Sequence, residues 1–279
     1  MIHEENTKTI LSVQDISCYG QCSNTVMLPV LSAAGLETVA LPTALLSTHT
    51  GGFEGYTFRD LTGDIPDILK HWKSLNLQFD FIYSGYLGSV EQIDLVLQIK
   101  EQFLAPNGTF IVDPVMGDNG ALYAGFTDGF VEKMRTLCKQ ADYILPNVTE
   151  ACYLADVPYP LTPQTAVLAL EKLRSLCSRP IVTGVASDNG IAVYYADEKG
   201  EARVLSHENV QGFFCGSGDV FASAFVGALA RGKSEGVAIE LASDFVFNAI
   251  RRSAKEVSDK RFGLNFEAEI FPFLKKLNG

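Results

Sequence analysis

A short glycine-rich segment, Gly216-Ser217-Gly218-Asp219, comes directly before a helical pattern that covers Val220 to Ala230. The glycines allow a tight turn whose backbone N–H groups point at one spot, and a helix N-terminus adds a partial positive charge there. Such an anion hole suits a phosphoryl group in transfer, and Asp219 is placed to accept the proton of an attacking hydroxyl. The alternative is an ordinary turn in which Asp219 only interacts with the helix dipole.

Two more carboxylates and an amide follow predicted strands. Asp113 ends the strand that begins at Thr109, and Asn147 and Glu150 follow the strand Tyr143 to Leu145. Side chains at the ends of separate strands can hold magnesium beside nucleotide phosphates, directly or through water. Taken alone, Asp113 before a proline is typical of a turn, and Asn147 is typical of a helix N-cap. With the glycine turn they complete a set for phosphoryl transfer, namely a metal site, an anion hole and a base.

Two segments offer walls for a flat substrate. Ser84 to Ser89 ends another predicted strand, and Tyr86 within it presents an aromatic ring, unless it is a core tyrosine. Leu46 to Gly52 is polar and glycine-ended, which suits a pocket wall or a lid, and it contains His49 among three hydroxyl residues. A lone histidine is more often solvated than functional.

Gly227 to Ser234 matches the P-loop pattern G-x-x-x-x-G-K-S. A P-loop follows a strand and opens a helix, whereas the middle residues here are strong helix formers that continue the preceding helix. We therefore predict a helix that stops at Gly232 and a new one capped by Ser234.

Cys215 near a helix N-terminus is either a thiol of lowered pKa or a small buried residue.

These motifs are embedded in an alternation of short strands and helices. The predicted strands are Thr9 to Ile16, Phe79 to Ser84, Thr109 to Asp113, Tyr143 to Leu145 and Ile181 to Thr183, followed by a hairpin of Ile191 to Ala196 and Ala202 to Ser206. The predicted helices are Asn24 to Ala34, Val90 to Phe103, Gly129 to Lys139, Thr165 to Cys177 and most of the chain after Gly216. This alternation predicts an α/β fold with a parallel sheet covered on both faces, and no linker divides residues 1–279 into domains. Ligands of such sheets bind beyond the carboxyl ends of the strands.

The composition excludes several classes of function. Among 279 residues, 22 Lys+Arg stand against 33 Asp+Glu, and a formal net charge of -11 argues against general nucleic-acid binding. We find no apolar run of the roughly 18 residues that a membrane helix needs, and Met1 to Glu5 does not resemble a signal peptide. The six cysteines form no C-x-x-C pair, so we expect no zinc site and a cytoplasmic location.

In their order along the chain, the motifs resemble the pyridoxal kinase branch of the ribokinase superfamily. The segments that carry the resemblance are Ser12 to Gly20, Ser47 to Thr50, Ser84 to Ser89, Asp113 to Gly117, Asn147 to Glu150 and Gly216 to Asp219. The resemblance implies a three-layer α/β/α sandwich with a mostly parallel sheet, usually as a homodimer. It implies transfer of the γ-phosphate of ATP to the 5′-hydroxymethyl group of pyridoxal, pyridoxamine or pyridoxine, with Mg²⁺ or another divalent cation. A requirement for a monovalent cation is left open.

The resemblance also implies roles for individual residues. The base is Asp219, and the anion hole consists of Gly216, Ser217 and Gly218. The metal and nucleotide side consists of Asp113, Asn147, Glu150, Thr183 and Tyr123, with Asp113 and Glu150 as the metal ligands. The substrate pocket consists of Asp15, Ser47, His49, Thr50 and Tyr86.

Asp15 departs from the family pattern, because many members have a serine there, beside the ring nitrogen of the substrate. We hypothesise that Asp15 pairs with a protonated pyridine nitrogen or with a ring substituent. The alternative is a turn residue at the end of the strand. Leu46 stands where pyridoxal kinases have a phenylalanine, which leaves ring stacking mostly to Tyr86.

Two other functions stay open at this point. A hydroxymethylpyrimidine kinase of thiamine synthesis shares the fold and the phosphoryl-transfer site, and its substrate is also a flat heteroaromatic ring with a hydroxymethyl arm. A vitamer-binding protein without turnover keeps the fold alone, although the intact Gly-Ser-Gly-Asp segment argues against it.

Overall fold

The computed structural model describes residues 7–187, 190–212, 214–256 and 259–279. Met1 to Glu5, for which we expect no signal peptide, lies outside the described residues. The described part of the chain forms a nine-stranded sheet, a separate two-stranded hairpin and helices between the strands.

The strands, in chain order, are β1 (Thr9–Tyr19), β2 (Glu37–Thr48), β3 (Phe58–Asp60), β4 (Phe79–Ser84), β5 (Leu104–Val112), β6 (Gly117–Asp118), β7 (Ala121–Leu122), β8 (Tyr143–Ile144), β9 (Arg179–Ser187), β10 (Gly190–Ala196) and β11 (Ala202–Glu208). The helices are α1 (Asn24–Ala33), α2 (Ile65–Ser74), α3 (Val90–Phe103), α4 (Asp128–Cys138), α5 (Val148–Ala155), α6 (Pro163–Leu173), α7 (Ser217–Ala230), α8 (Glu235–Glu256) and α9 (Glu267–Asn278), with a short 3₁₀ turn at Lys260–Phe262.

The large sheet has the strand order β11-β10-β9-β8-β5-β4-β1-β2-β3. The central pairs, from β2 through β1, β4, β5 and β8 to β9, are all parallel. The antiparallel pairs lie at the two edges, where β3 joins β2 and where β10 and β11 follow β9. The predicted α/β fold with a mostly parallel sheet and a β10–β11 hairpin is confirmed.

Successive residues of the central strands point to opposite faces of the sheet, so each face is buried under its own group of helices. Leu11 packs into a core with helices α2 to α6. Its neighbour Ile10 packs into a second core with helices α1, α7, α8 and α9. Both residues are fully buried. This arrangement is the three-layer sandwich that the family resemblance implies.

The sequence pattern predicts no element between Gly35 and Phe79, where the structure has β2, β3 and α2. β2 contains Pro42, and it ends in the polar pair Ser47 and Thr48, so neither composition nor alternation indicates a strand. Pairing with β1 along most of its length holds β2 in place. Tertiary contacts therefore override a weak local signal.

The interpretation of the P-loop match as a helix end is confirmed. Helix α7 continues through the middle of the motif to Ala230, and Gly232 has the left-handed φ of 78° that often follows a helix. Helix α8 begins at Glu235. Among the residues that the structure describes, no helix is long and apolar enough to cross a membrane.

Candidate active site

The candidate site lies where the parallel strands end. Asp15 lies in the last part of β1, and Asp113 directly follows β5. Backbone hydrogen bonds hold these ends together, since the N–H of Asp113 donates to the carbonyl oxygen of Ser84 at 2.8 Å. The N–H of Gly85 donates to the carbonyl oxygen of Val13 at 3.0 Å. Polar residues from three central strands thus share one edge of the sheet, as the fold prediction requires.

Gly216 begins helix α7 in a conformation that favours glycine. Its φ of 76° is left-handed, and a Cβ atom there would lie 2.1 Å from the carbonyl oxygen of Gln21. The helix starts at Ser217, and Asp219 lies in its first turn. The first N–H groups of a helix have no partner within the helix, so this end can bind an anion beside Asp219.

Carboxylates of unusually high pKa surround this helix end. Burial raises the pKa of Asp219 to about 7, against an opposing hydrogen bond from the N–H of Ser23, and the charge of Asp15 raises it further. Burial and then the charge of Asp219 raise the pKa of Asp113 to about 8. The hydroxyl of Tyr83 donates to Oδ2 of Asp113 at 3.1 Å. A carboxylate whose pKa lies near 7 suits general base catalysis close to neutral pH.

On the nucleotide side, Asn147 is the N-cap of helix α5 and forms a capping box with Glu150. The carboxylate of Glu150 accepts the N–H of Asn147 at 2.8 Å and that of Met116 at 3.2 Å. Nδ2 of Asn147 donates to the carbonyl oxygen of Gly117 at 2.9 Å. The N-cap interpretation is therefore confirmed, and the same side chains also fix the segment that follows Asp113.

Asp113 and Glu150 are the residues that the resemblance assigns to a divalent metal. Burial raises the pKa of Glu150 well above its usual range, and the charge of Asp113 raises it further. Crowded carboxylates of this kind are neutralised by a divalent cation, and oxygen donors are the ligands that Mg²⁺ prefers. In the described ranges, no group of three His, Cys, Asp or Glu side chains could hold a metal. The pair fits a magnesium site in which phosphates and water supply most ligands.

Thr183 and Tyr123 lie on this same side. Thr183 in β9 bridges to Asn147, and its N–H donates to the carbonyl oxygen of Pro146 at 3.0 Å. Tyr123 is tied to Glu150 through Met116, which donates its N–H to Glu150 and accepts the N–H of Tyr123 at 2.9 Å. The structure thus brings the predicted nucleotide-side residues together.

Asp15 is 5 % exposed and lies within β1, so the interpretation as a turn residue is wrong. The register between β1 and β2 shifts at this point, an irregularity that often re-aims side chains near active sites. The hydroxyls of Ser23 and Ser17 donate to the Asp15 carboxylate at 2.5 and 3.0 Å. Burial nevertheless raises the pKa of Asp15.

Tyr86 lies beside Asp15 and is half-buried, so it is not an ordinary core tyrosine. Burial and then the charge of Asp15 raise the pKa of Tyr86 to about 12. The Tyr86 ring lies nearly parallel to that of Phe126, with centroids 6.2 Å apart, and Phe126 stacks on Phe130 at 3.9 Å. Leu46 is buried. An aromatic stack therefore holds the ring that we expect to face the substrate.

His49 is buried, not solvated, and both of its ring nitrogens have protein partners. Nδ1 accepts the N–H of Gly51 at 3.1 Å, so Nε2 carries the proton and donates to the carbonyl oxygen of Arg261 at 2.5 Å. Oγ of Ser47 accepts the N–H of Thr57 at 2.9 Å. Thr50 is exposed. His49 and Ser47 are therefore fixed by protein partners, whereas Thr50 is at the surface.

Cys215 is buried just before helix α7. Burial raises the pKa of its thiol to about 11, and the charges of Asp118 and Asp219 add to this effect. The helix N-terminus does not offset these contributions. The interpretation as a small buried residue is confirmed, and that of a thiol of lowered pKa is wrong.

Sequence reasoning missed three residues that hold the site together. Tyr83 is fully buried under Asp113, and Ser23 contacts both Asp15 and Asp219 from a left-handed φ of 49°. Thr149 lies inside the Asn-x-x-Glu segment. Each lies next to a residue that the sequence did indicate, but contacts between distant segments are not visible in the sequence.

Comparison with known proteins identifies the family of the chain. A family model described as phosphomethylpyrimidine kinase matches residues 28–263. A pyridoxine/pyridoxal/pyridoxamine kinase of Bordetella avium is 30% identical over 262 residues, covering 86% of this chain and 84% of its own. The crystal structure of pyridoxal kinase from Lactobacillus plantarum superimposes with a TM-score of 0.90 at 34% identity, covering 96% of this chain and 97% of that one.

A protein of Bacteroides thetaiotaomicron, assigned provisionally as a phosphomethylpyrimidine kinase and crystallised with pyridoxal, is 36% identical with a TM-score of 0.89. That match covers 98% of this chain and 96% of the other. Fold and comparisons together define a small-molecule kinase of the ribokinase superfamily. The chain belongs to the phosphomethylpyrimidine kinase family, and its resemblance to pyridoxal kinases is confirmed.

Proposed function

We propose that the chain phosphorylates the 5′-hydroxymethyl group of pyridoxal, pyridoxamine or pyridoxine with ATP, as a salvage enzyme for pyridoxal 5′-phosphate. One observation carries the proposal. Asp219, in the first turn of α7, has a pKa of about 7 and is close enough to Asp15 and Asp113 for the charges of these carboxylates to interact. A base, an anion site and a nucleotide side thus meet at one point.

In the reaction, the oxygen of the 5′-hydroxyl group attacks the γ-phosphorus of ATP, and ADP leaves. Asp219 accepts the proton of this hydroxyl group during the attack. The backbone N–H groups at the start of α7, from Gly216 to Gly218, stabilise charge on the phosphoryl group in transfer. Asp113 and Glu150 would hold Mg²⁺, which supplies charge neutralisation and orientation to the ATP phosphates. Asn147, Thr183 and Tyr123 bind the nucleotide.

The Ser47 to Gly52 segment excludes water from the reacting groups, since a kinase must suppress hydrolysis of ATP. The contact between His49 and the carbonyl oxygen of Arg261 supports this role, because it holds the segment against the C-terminal part of the chain. Thr50 borders the substrate from the same segment.

A cytoplasmic homodimer is a further prediction, and light scattering of the purified protein tests its oligomeric state.

Asp15 recognises the pyridine ring through a protonated nitrogen. Its burial beside Tyr86 supports this assignment, since a buried carboxylate gains most from a cationic partner. We expect Asp15→Ser to raise KM for pyridoxal about tenfold, the loss of one charge-assisted hydrogen bond, and to change the pH dependence of KM.

The measurement is KM for all three vitamers between pH 5.5 and 8.5 in wild type, Asp15→Ser and Asp15→Asn. The asparagine variant keeps the shape of the side chain and removes its charge, so it separates charge from packing. Unchanged KM and pH dependence in both variants would rule out recognition of the ring by Asp15.

The second candidate function is phosphorylation of hydroxymethylpyrimidine, because the matching family model is described as phosphomethylpyrimidine kinase. A coupled assay of ATP turnover with magnesium compares pyridoxal, pyridoxamine, pyridoxine and hydroxymethylpyrimidine at equal concentrations. We expect a B6 vitamer to have the highest kcat/KM. A preference for hydroxymethylpyrimidine would overturn the substrate assignment, and vitamer binding without turnover would overturn the assignment as a kinase.

A further inference from the structure

The segment between Asp113 and helix α4 forms a small hairpin beside the candidate site. Strands β6 and β7 pair with Asp118 opposite Ala121. Asn119 and Gly120, with φ of 52° and 81°, form the two-residue connection, and Asn-Gly is the sequence that such turns prefer. The hairpin leads directly into Tyr123, whose N–H donates to the carbonyl oxygen of Met116 at 2.9 Å. The position of Tyr123 therefore depends on the hairpin.

Three side chains from the start of helix α5 hold this hairpin. Asn147 and Glu150 bind the backbone at its beginning, at Gly117 and Met116. At the turn, Oγ1 of Thr149 accepts the N–H of Gly120 at 2.9 Å. Thr149 is 1 % exposed. Of the three, only Thr149 contacts the turn itself.

Side-chain packing behind the turn is incomplete. A surface cavity of about 430 Å³ borders Gly120, Thr149 and Tyr159 on the side of helices α4 and α5. The ring of Tyr159 lies against Gly120, where a Cβ atom would approach to 2.8 Å, but Tyr159 is itself largely exposed. Because the cavity limits packing on this side, the hydrogen bond from Gly120 to Thr149 is an important tie between the turn and helix α5.

We propose that Thr149 is a positioning residue for ATP binding, which sets the β6–β7 hairpin and through it Tyr123 against the nucleotide phosphates. The inference rests on the proposed function, since it assigns a role in nucleotide binding to a residue that does not face the nucleotide. Thr149 acts through the backbone of Gly120. Its hydroxyl, and not its size, is the feature that matters.

The test compares wild type, Thr149→Val, Thr149→Ser and Thr162→Val. Valine keeps the shape of threonine and removes the hydroxyl, whereas serine keeps the hydroxyl. Thr162 is an exposed control, because its Oγ1 also accepts a backbone N–H, that of Thr165 at 3.2 Å, at the start of the next helix. The readouts are kcat, KM for ATP, KM for pyridoxal, and ADP affinity by calorimetry.

We expect Thr149→Val to raise KM for ATP and to weaken ADP binding about tenfold, with KM for pyridoxal within twofold of wild type. Thr149→Ser restores most of the affinity, and Thr162→Val leaves both nucleotide constants unchanged. If Thr149→Val keeps wild-type nucleotide constants, or if it and Thr162→Val lose affinity equally, the positioning role is wrong. Failure of the wild type to phosphorylate any vitamer would instead contradict the proposed function, and calorimetry with ADP would still report on the hairpin.

Discussion

The start of helix α5 brings to the nucleotide side polar side chains that are hydrogen-bonded to protein, whereas the substrate side also contains buried polar atoms without such partners. Asn147, Thr149 and Glu150 all bind backbone groups. Around the substrate pocket, several buried side-chain oxygens have no hydrogen-bond partner among the described residues. These atoms are Oε1 of Gln14, Oδ1 of Asn24, Oγ1 of Thr48 and Oγ of Ser84.

The difference separates two ways of building one site. A buried acceptor without a partner costs about 1–3 kcal/mol, which a ligand or water that supplies a donor can recover. The nucleotide side carries no such cost at its three helix side chains, so its geometry is set before ATP binds. The substrate side combines groups that protein partners already hold, such as Asp15 and His49, with buried oxygens that a ligand can satisfy.

Of the variants considered, Asp219→Asn has the largest expected effect on kcat, because Asp219 is the proposed general base. We expect kcat to fall at least about 100-fold, the scale of lost general base catalysis, with KM for ATP and pyridoxal nearly unchanged. Steady-state kinetics measure this split. Asp67→Asn, an exposed change on helix α2, is the control. A kcat close to wild type would remove Asp219 from the role of base.

The same residue predicts a pH profile. A base acts in its ionised form, so with a pKa of about 7 we expect kcat to rise as the pH increases through 7 and then to level off. The residual activity of Asp219→Asn should lack this rise. A persistent rise in the variant would assign the titration to another group.

Gly216→Ala and Gly218→Ala form a matched pair at the start of helix α7. A Cβ atom at Gly216 would lie 2.1 Å from Gln21 in a left-handed backbone conformation, whereas at Gly218 no atom lies within 4 Å. We expect Gly216→Ala to lower the free energy of unfolding by about 2–3 kcal/mol, and Gly218→Ala to stay within about 1 kcal/mol of wild type. Denaturant unfolding measures both, and equal values would show that the turn is not strained.

Phe126→Leu tests the connection between the two sides, because Phe126 follows Tyr123 and stacks on Tyr86. We expect KM for pyridoxal to rise about three- to tenfold, the contribution of one aromatic pair of about 0.5–1.5 kcal/mol, with a smaller change in KM for ATP. Phe271→Leu is the control, since Phe271 is 76 % exposed. Equal changes in KM for pyridoxal and KM for ATP would contradict the prediction that Phe126 mainly supports the substrate side.

Much of the fold was predictable because hydrophobic patterns and helix signals agree along the central strands. The strand Phe79 to Ser84 and the helix Val90 to Phe103 have the predicted bounds. The site motifs were found because glycine turns and carboxylates at strand ends are local features of the sequence. Asn119-Gly120 was a readable hairpin signal that the sequence analysis did not use.

Other features were not predictable from one sequence. β2 is a strand because it pairs with β1, and no local pattern indicates that contact. His49 has a partner more than 200 residues away, Arg261, and Asp15 is bound by Ser23 from the loop before helix α1. The high pKa of Asp113 results from burial and from a neighbour about 100 residues away in the chain. Such contacts are set by the tertiary fold.

The backbone of Gln21 ties together chain segments that are synthesised far apart in time. Its carbonyl oxygen lies against Gly216, and its N–H donates to the carbonyl oxygen of Phe262 at 3.1 Å. Ribosomes add about 5–20 residues per second, so Gln21 waits roughly 10–50 s for its last partner. The early strands and helices can fold on the nascent chain during that time, but the contacts of Gln21 with Gly216 and Phe262 form only after those segments have been synthesised.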